Sequence, residues 1–371
     1  VGLEGALRVG LRLERGRIGP ISVQSTRPDI ARTMLVGRSV AEIQAAVPLL
    51  FSVCGHAQTT ASRLACAAAA GEAPSDSARA AAQAAIEAET LREHVWHTVL
   101  NAARWLGESP APEAVTAARA AMGWVAHPTA GPASRGIAIA VFGRPAAEWL
   151  QVPGWPGLQA WAADGDTAAA RYTLSLSAVA RPRAERDTAV ALLPRPTASS
   201  LATLAEALDA DAAFTTRPSW GGAPAETGAL ARLQGGPWFD AAGAAAGSRA
   251  LGRCGLRFVA RLRELAGLLS GQTEPHGPLG LGSLSLGAGL GLGWVDSARG
   301  ILLHRVRLAS GRVSDYRIVA PTDWNFHPHG ALTAALEGAR VPDRACALAL
   351  ATRVVRALDP CVPGPIEFDD A

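Results

Sequence analysis

The chain has 371 residues, 49% of them apolar, which is enough to bury a substantial core without disulfide staples. Its formal charge of +3 is too small to imply a nucleic-acid or anionic-membrane partner, and with no lysine present every fixed positive charge is an arginine. Cysteines at 54, 66, 254, 346 and 361 are odd in number and widely spaced, which argues against a disulfide framework and for a reducing cytoplasm.

Residues 1–26 read as an antiparallel hairpin. Leu7, Val9, Leu11 and Leu13 alternate with Arg8, Gly10, Arg12 and Glu14 before a turn at Gly16. No secretion signal or membrane span is expected anywhere in the chain. Residues 39–71 read as helical, with Ser39 as N-cap, Glu42 three residues on, and Pro48 placed to kink or restart the helix. A second helical block covers 76–105, starting at Ser75 or Asp76, and a third helix covers 111–122.

The stretch 123–200 is rich in Pro, Gly and Trp, and in it Ile137–Phe142 and Tyr172–Val179 read as short strands. Helices are expected near 199–208 and across 243–270, with a loop over 217–237 between them. The glycine–leucine tract 277–293 lacks Gly-Lys-Ser/Thr, so it reads as flexible or close-packed backbone rather than a phosphate cradle. Runs 301–308 and 313–319 form a hairpin around Ser310-Gly311, followed by a helix over 343–357 and an irregular tail from Asp359. The sum is an α+β protein with a central helical bundle and β-hairpins near both termini. It reads as a single domain over 1–371, with room for a variable insert at 123–240.

Several groups could carry chemistry. Cys54 lies in Phe51-Ser-Val-Cys54-Gly-His56-Ala-Gln58, and buried unreactive thiol is the plainer reading of an isolated cysteine. His94 and His97 read as a surface pair, and Cys66, Cys254 and Cys346 as core filler. Near the end stand Arg299-Gly-Ile-Leu-Leu-His304, Pro321-Thr322-Asp-Trp324-Asn and Asp359-Pro-Cys361. The Asp-Pro step stops a helix and leaves the Cys361 thiol on an irregular segment, as a metal ligand requires. The same groups have plain readings: an ordinary Arg299–Asp359 ion pair, structural His304 and His327, and a core Trp324.

These blocks, in this order, resemble the large subunit of nickel–iron hydrogenases from end to end in shortened form. In that family two Cys-x-x-Cys pairs hold nickel, and one thiolate of each pair bridges to an iron carrying cyanide and carbon monoxide. On that pattern Phe51 and Gly364 stand where cysteines would be, leaving Cys54 and Cys361 as the metal ligands. Gln58 replaces a histidine, Glu367 stands at the final histidine, and Arg32 falls near the proton-relaying glutamate, so no relay is expected there. By the same resemblance Arg299 and Thr322 would donate to the iron's diatomic ligands, with Asp359 partnering Arg299.

The reduced ligand set is similar to that of the HupK/HoxV group of maturation proteins. This implies a non-catalytic scaffold or carrier for the Fe(CN)2(CO) fragment, with iron bound transiently and nickel not expected. Its implied partners are a HypC-like chaperone, the hydrogenase large subunit, or both. The chain stops four residues past Glu367, and the reading expects no removable extension. A divergent redox enzyme would need replacement ligands such as His56 and Glu367. A metal-free assembly chaperone is the remaining alternative.

Overall fold

The computed structural model describes residues 5–26, 29, 31–51, 54–123, 131–177, 190–272 and 279–369. Outside these lie residues 1–4 of the expected opening hairpin, Val179, residues 277–278 of the glycine–leucine tract, and 124–130 and 178–189 of the expected insert. The chain folds into two compact units. One comprises 1–86, 188–231 and 279–371; the other comprises 87–187 and 232–278.

Strands β1 (Leu7–Leu11) and β2 (Ser22–Ser25) pair antiparallel, as the alternation requires. Helix α1 (Val40–Leu50) opens on a reciprocal cap in which Ser39 Oγ accepts from Glu42 N and the Glu42 carboxylate accepts from Ser39 N. Pro48 sits inside this helix, and the chain then passes through the extended Phe51 to helix α2 (Gly55–Ala69). Helix α3 (Asp76–Val95) starts behind Ser75, whose hydroxyl accepts from Ala78 N. Next comes α4 (Pro112–Met122), with Pro in its first turn.

The two strands expected in the middle are helices instead: α5 (Pro132–Phe142) and α6 (Ala168–Ser175). In α5, Ile137, Ala138, Val141 and Phe142 are buried on one helical face. Pro132 begins the helix and Gly143, at φ 72°, ends it. A short apolar run does not declare its period, and here the end signals decide. Helix α7 (Ala198–Ala210) follows, and the expected loop holds the short strand Ala225–Glu226 and helical turn Ala229–Arg232. Helix α8 (Ala241–Ser270) is interrupted at Gly252, φ 71°.

The glycine–leucine tract supplies two strands, β3 (Leu281–Gly287) and β4 (Leu290–Ser297). They continue a four-stranded antiparallel meander through β5 (Gly300–Ala309) and β6 (Arg312–Val319). The β5–β6 turn places Ser310 and Gly311 at φ 50° and 74°, the left-handed pair that suits strand twist. Short helix α9 (Pro321–Asn325) and helix α10 (Arg344–Leu358) come next. The tail, expected to be irregular, forms β7 (Pro363–Phe368), which lies parallel to β1. Its pairing partner is at the opposite end of the chain, so no local signal announces it.

In the first unit α2 lies on the sheet at backbone contact. A Cβ at Gly291 would collide with Ala65 O and Ala69 N; one at Gly293 would collide with Ala61 O and sit 2.5 Å from Ala65 N. The glycines are therefore close-packed backbone. Elsewhere on this sheet the buried Arg305 guanidinium bridges Asp315 and Asp209, tying α7 to β5 and β6.

In the second unit α8 is the central helix. His94 and His97, expected on the surface, are buried. Glu264 on α8 accepts from Arg232 Nε at 2.6 Å and lies 2.7 Å from His94 Nε2. Burial would raise the Glu264 carboxyl, but Arg232 and His94 outweigh it and hold the group down at about 2.

Replacing Gly293 with alanine should therefore lower unfolding stability by about 1–3 kcal/mol, because backbone on both sides must move. Urea denaturation with an unchanged m value checks this, whereas an unaltered midpoint would contradict the packing.

Candidate functional site

Five of the residues singled out in the sequence fall in the first unit, and four of them, Arg299, Thr322, Asp359 and Cys361, are linked around the start of α9. Cys54 is half-buried at the N-cap of α2, where the helix's positive end favours charge on its sulfur. It packs against the apolar cluster that includes Ala320. Two residues further, Thr322 is buried in α9, and its Oγ1 accepts from Cys361 N at 3.4 Å. Cys361 is thus tied to α9 through its backbone, and Cys54 belongs with the cluster that holds the residue just before that helix. Because the Thr322 oxygen accepts there, its hydroxyl proton is left for another acceptor.

Asp359 is what turns the chain into the Cys361 segment. It caps α10 at φ 56°, ψ 71°, a left-handed conformation that Asp tolerates and most residues avoid. Its carboxylate Oδ2 lies 3.4 Å from Arg299 Nε, and both side chains are 8% exposed. Arg299 is held in the β4–β5 turn, where Ser297 Oγ donates to Gly300 O at 2.8 Å and Ile301 N donates to Thr227 Oγ1 at 3.0 Å. An arginine and a hydroxyl therefore reach the neighbourhood of Cys361 on independently buttressed elements. Such donors suit the nitrogen of a metal-bound cyanide.

The other candidates are placed differently. His56 is exposed in the first turn of α2, and Glu367 is exposed on β7 opposite Gly10. Arg32 is exposed as well. Cys66 and Cys254 are buried, as core filler should be, but Cys346 is exposed in the first turn of α10. Its alanine-rich helix gave the sequence no clear apolar face. His327 and Trp324 are buried structural residues; His327 Nδ1 accepts from His329 N. Among the described residues no three His, Cys, Asp or Glu side chains gather as a metal cage.

Both positions of the missing cysteines are taken up by packing. Phe51 lies against the cluster of Leu35, Ile43, Val47 and Tyr316. Gly364 backs onto β1, where a Cβ would collide with the Leu7 carbonyl oxygen and lie 2.7 Å from its carbon.

One feature escaped the sequence reading. Cys54, Gln58, Ser62 and Cys66 form a single i, i+4 row along α2. Gln58 Nε2 donates to Cys54 Sγ at 3.7 Å, and Gln58 Oε1 lies 2.8 Å from His304 Nε2. His304 Nδ1 lies 2.7 Å from Tyr316 Oη, which is 2.8 Å from Ser62 Oγ. Gln58, Ser62, His304 and Tyr316 are all buried. The four-residue spacing of polar groups in an alanine-rich helix was the available signal.

The fold is that of the nickel–iron–selenium hydrogenase large subunit. The pattern of the nickel-dependent hydrogenase family matches residues 284–365. The nickel–iron–selenium hydrogenase of D. vulgaris Hildenborough superimposes with a TM-score of 0.58 at 18% identity, over 94% of each chain. Within that class, the hydrogenase expression/formation protein HoxV of Cupriavidus necator is 30% identical over 94% of this chain and 93% of its own. HupK of Rhizobium leguminosarum is 31% identical over 99% and 97%, and HupK of Azotobacter vinelandii 33% over 97% of each. The chain belongs to this HupK/HoxV family of hydrogenase expression/formation proteins.

Burial holds the His304 imidazole neutral, pushed down to about 3. From pH 6.5 down to 3 the unfolded chain takes up a proton here that the folded chain does not, so stability falls on acidification. The loss should run at about 1.4 kcal/mol per pH unit. Urea unfolding across pH 6 to 4 should show that contribution in the parent and lack it in His304→Gln; parallel pH slopes would refute it.

Proposed function

We propose that the protein is a non-catalytic assembly factor that carries the Fe(CN)2(CO) fragment on Cys54 and Cys361 before its delivery to a hydrogenase large subunit. The observation that carries this reading is the split fate of the site. Cys361 is tied by its backbone to Thr322 and follows the Asp359 that faces Arg299, and Cys54 packs with the cluster that includes Ala320, while Phe51 and Gly364 are taken up by packing. Thiolates suit a soft iron centre, and the buried donors suit its cyanides. Two sulfurs are too few to hold nickel as four do.

Membership of the HupK/HoxV family supports a maturation role in general. The exposed positions of His56 and Glu367 weigh against a divergent redox enzyme rebuilt on new ligands. A carrier of this kind would meet a donor such as a HypC-like chaperone and the recipient large subunit in turn. Among the described residues no helix is long and apolar enough to cross a membrane.

Protein purified anaerobically from a hydrogenase-competent host should carry iron with infrared bands of bound cyanide and carbon monoxide. Cys54→Ala or Cys361→Ala should abolish those bands. Absence of bands, with partner binding retained, would instead establish a metal-free chaperone.

The double variant Phe51→Cys/Gly364→Cys should not acquire stoichiometric nickel, because β1 fills the space behind residue 364. Metal analysis after nickel exposure decides it, and full nickel occupancy with native stability would sink the packing argument.

A further inference from the structure

We propose that Thr227 and Asn325 are positioning residues that fix the spacing between the Arg299 and Thr322 donors, so that the site selects a fragment bearing two cyanides. The inference rests on the carrier reading and goes beyond it by assigning what sets the separation of the two groups that would meet the cyanides.

Arg299 and Thr322 come from different elements, the β4–β5 turn and helix α9. Apolar packing between such elements is non-directional, so by itself it does not set how far apart two donors stand. Here a side-chain bridge does. Ile301 N, two residues after Arg299, donates to Thr227 Oγ1 at 3.0 Å, and Thr227 N donates to Asn325 Oδ1 at 2.9 Å. A backbone N–H only donates, so the Asn325 amide must present its oxygen and its orientation is fixed. Thr227 is 5% exposed and Asn325 3%, which keeps water from competing for either bond. Asn325 and Thr322 stand three residues apart in α9 and so are neighbours on its surface. That short helix is held at its start, where Asp323 Oδ2 accepts from Ala320 N at 2.8 Å.

The links close a ring within the first unit. From Arg299 it runs through Ile301 to Thr227, on to Asn325, and along α9 to Thr322. The Thr322 hydroxyl oxygen takes Cys361 N at 3.4 Å, and two residues back Asp359 Oδ2 lies 3.4 Å from Arg299 Nε. In a closed ring each contact resists the opening of the others, whereas an open chain would let either donor drift. Backbone contact tightens the Thr227 side. Gly228 and Gly300 have φ of 129° and 130°, and a Cβ on Gly300 would lie 2.6 Å from Thr227 Oγ1 and 2.8 Å from Gly228 N. The turn that carries Arg299 therefore rests directly on the 227–228 backbone.

Two donors at a set separation select two acceptors at a matching one. The nitrogens of two cyanides on one iron are such a pair, because linear Fe–C–N units hold them apart at a defined angle. A fragment with one cyanide would engage a single donor and bind more weakly.

Thr227→Val removes the acceptor for Ile301 N at nearly constant volume, and Thr227→Ser keeps it. On metal-free protein, nitrogen-15 NMR should show the Arg299 Nε–H and the Ile301 and Thr227 amides exchanging with solvent through one shared opening. Thr227→Val should speed Arg299 Nε–H exchange about fivefold, the effect of losing one hydrogen bond, and Thr227→Ser should restore the parental rate. The amides of β6 should keep their rates in the same spectra, which a general loosening of the fold would not allow. In cargo-bearing protein the cyanide bands should move to lower frequency in Thr227→Val and return in Thr227→Ser, because a hydrogen bond to the cyanide nitrogen raises its stretching frequency.

Arg299 Nε–H exchange unaltered in Thr227→Val, or cyanide bands unmoved, would overturn the proposal. Should Thr227→Val fail to fold, the parent decides alone: an Arg299 Nε–H that opens independently of the Ile301 and Thr227 amides would equally overturn it. If the parent shows no infrared bands, the carrier reading fails; exchange on metal-free protein still decides whether Thr227 and Asn325 hold Arg299 in place.

Discussion

The contact on which the site depends is the one between helix α2 and strand β4, where helix backbone rests directly on glycine backbone. Gly291 and Gly293 lack the atoms that would hold Ala61, Ala65 and Ala69 away. That approach brings the row Cys54–Gln58–Ser62–Cys66 against β5 and β6, within hydrogen-bonding reach of His304 and Tyr316. A side chain at either glycine would lift the helix by more than a hydrogen bond can stretch. The alanines of α2 and the glycines of β4 are thus two halves of one device: small residues on both surfaces convert a helix–sheet contact into a precise placement of Cys54.

A second constraint acts from the other end of the chain. The tail strand β7 lies parallel to β1, and Gly364 permits the close approach to Leu7. Between α10 and this strand the chain must reverse within a few residues. Asp359 makes the reversal in a left-handed conformation, where its carboxylate faces Arg299 at low exposure. Removing one member of such a pair leaves the other charge buried, so the geometry is stiff where a structural ion pair at the surface would not be. Cys361 is thereby held between two fixed points, the Asp359 cap and the β7 ladder.

What could be read in the sequence divides by range. The Ser39–Glu42 cap, the Ser310–Gly311 turn and the break at Asp359-Pro360 are local, and each feature lies where its residue types put it. The site blocks could be named because whole motifs recur in order, not because any one residue announced its chemistry. The failures have physical causes. Ile137–Phe142 is too short and too uniformly apolar to declare a period, and Pro132 with Gly143 settled it as helix. The β7–β1 pairing joins residues some 350 positions apart, so nothing near Ile366 could signal it. His94 looked like a surface residue because its partner Glu264 lies far along the chain, whereas His97 meets Asn101 on its own helix. The polar row on α2 was present at the regular four-residue spacing, but its meaning came only from the strands that face it.

The two surviving thiols sit on elements that the fold braces separately, Cys54 through the sheet and Cys361 through the tail strand. That arrangement bears on how tightly a metal fragment could be held. Rigid ligands give up little conformational freedom on binding, so the affinity per sulfur is high. Yet on the carrier reading only two sulfurs would act. Filling the other two positions with Phe51 and Gly364 removes the route by which a further metal could close the site and trap the first. Preorganisation then supplies recognition, while the small ligand count limits retention. An enzyme must never release its metal, whereas an assembly factor must release its cargo on every cycle, and this combination suits the latter.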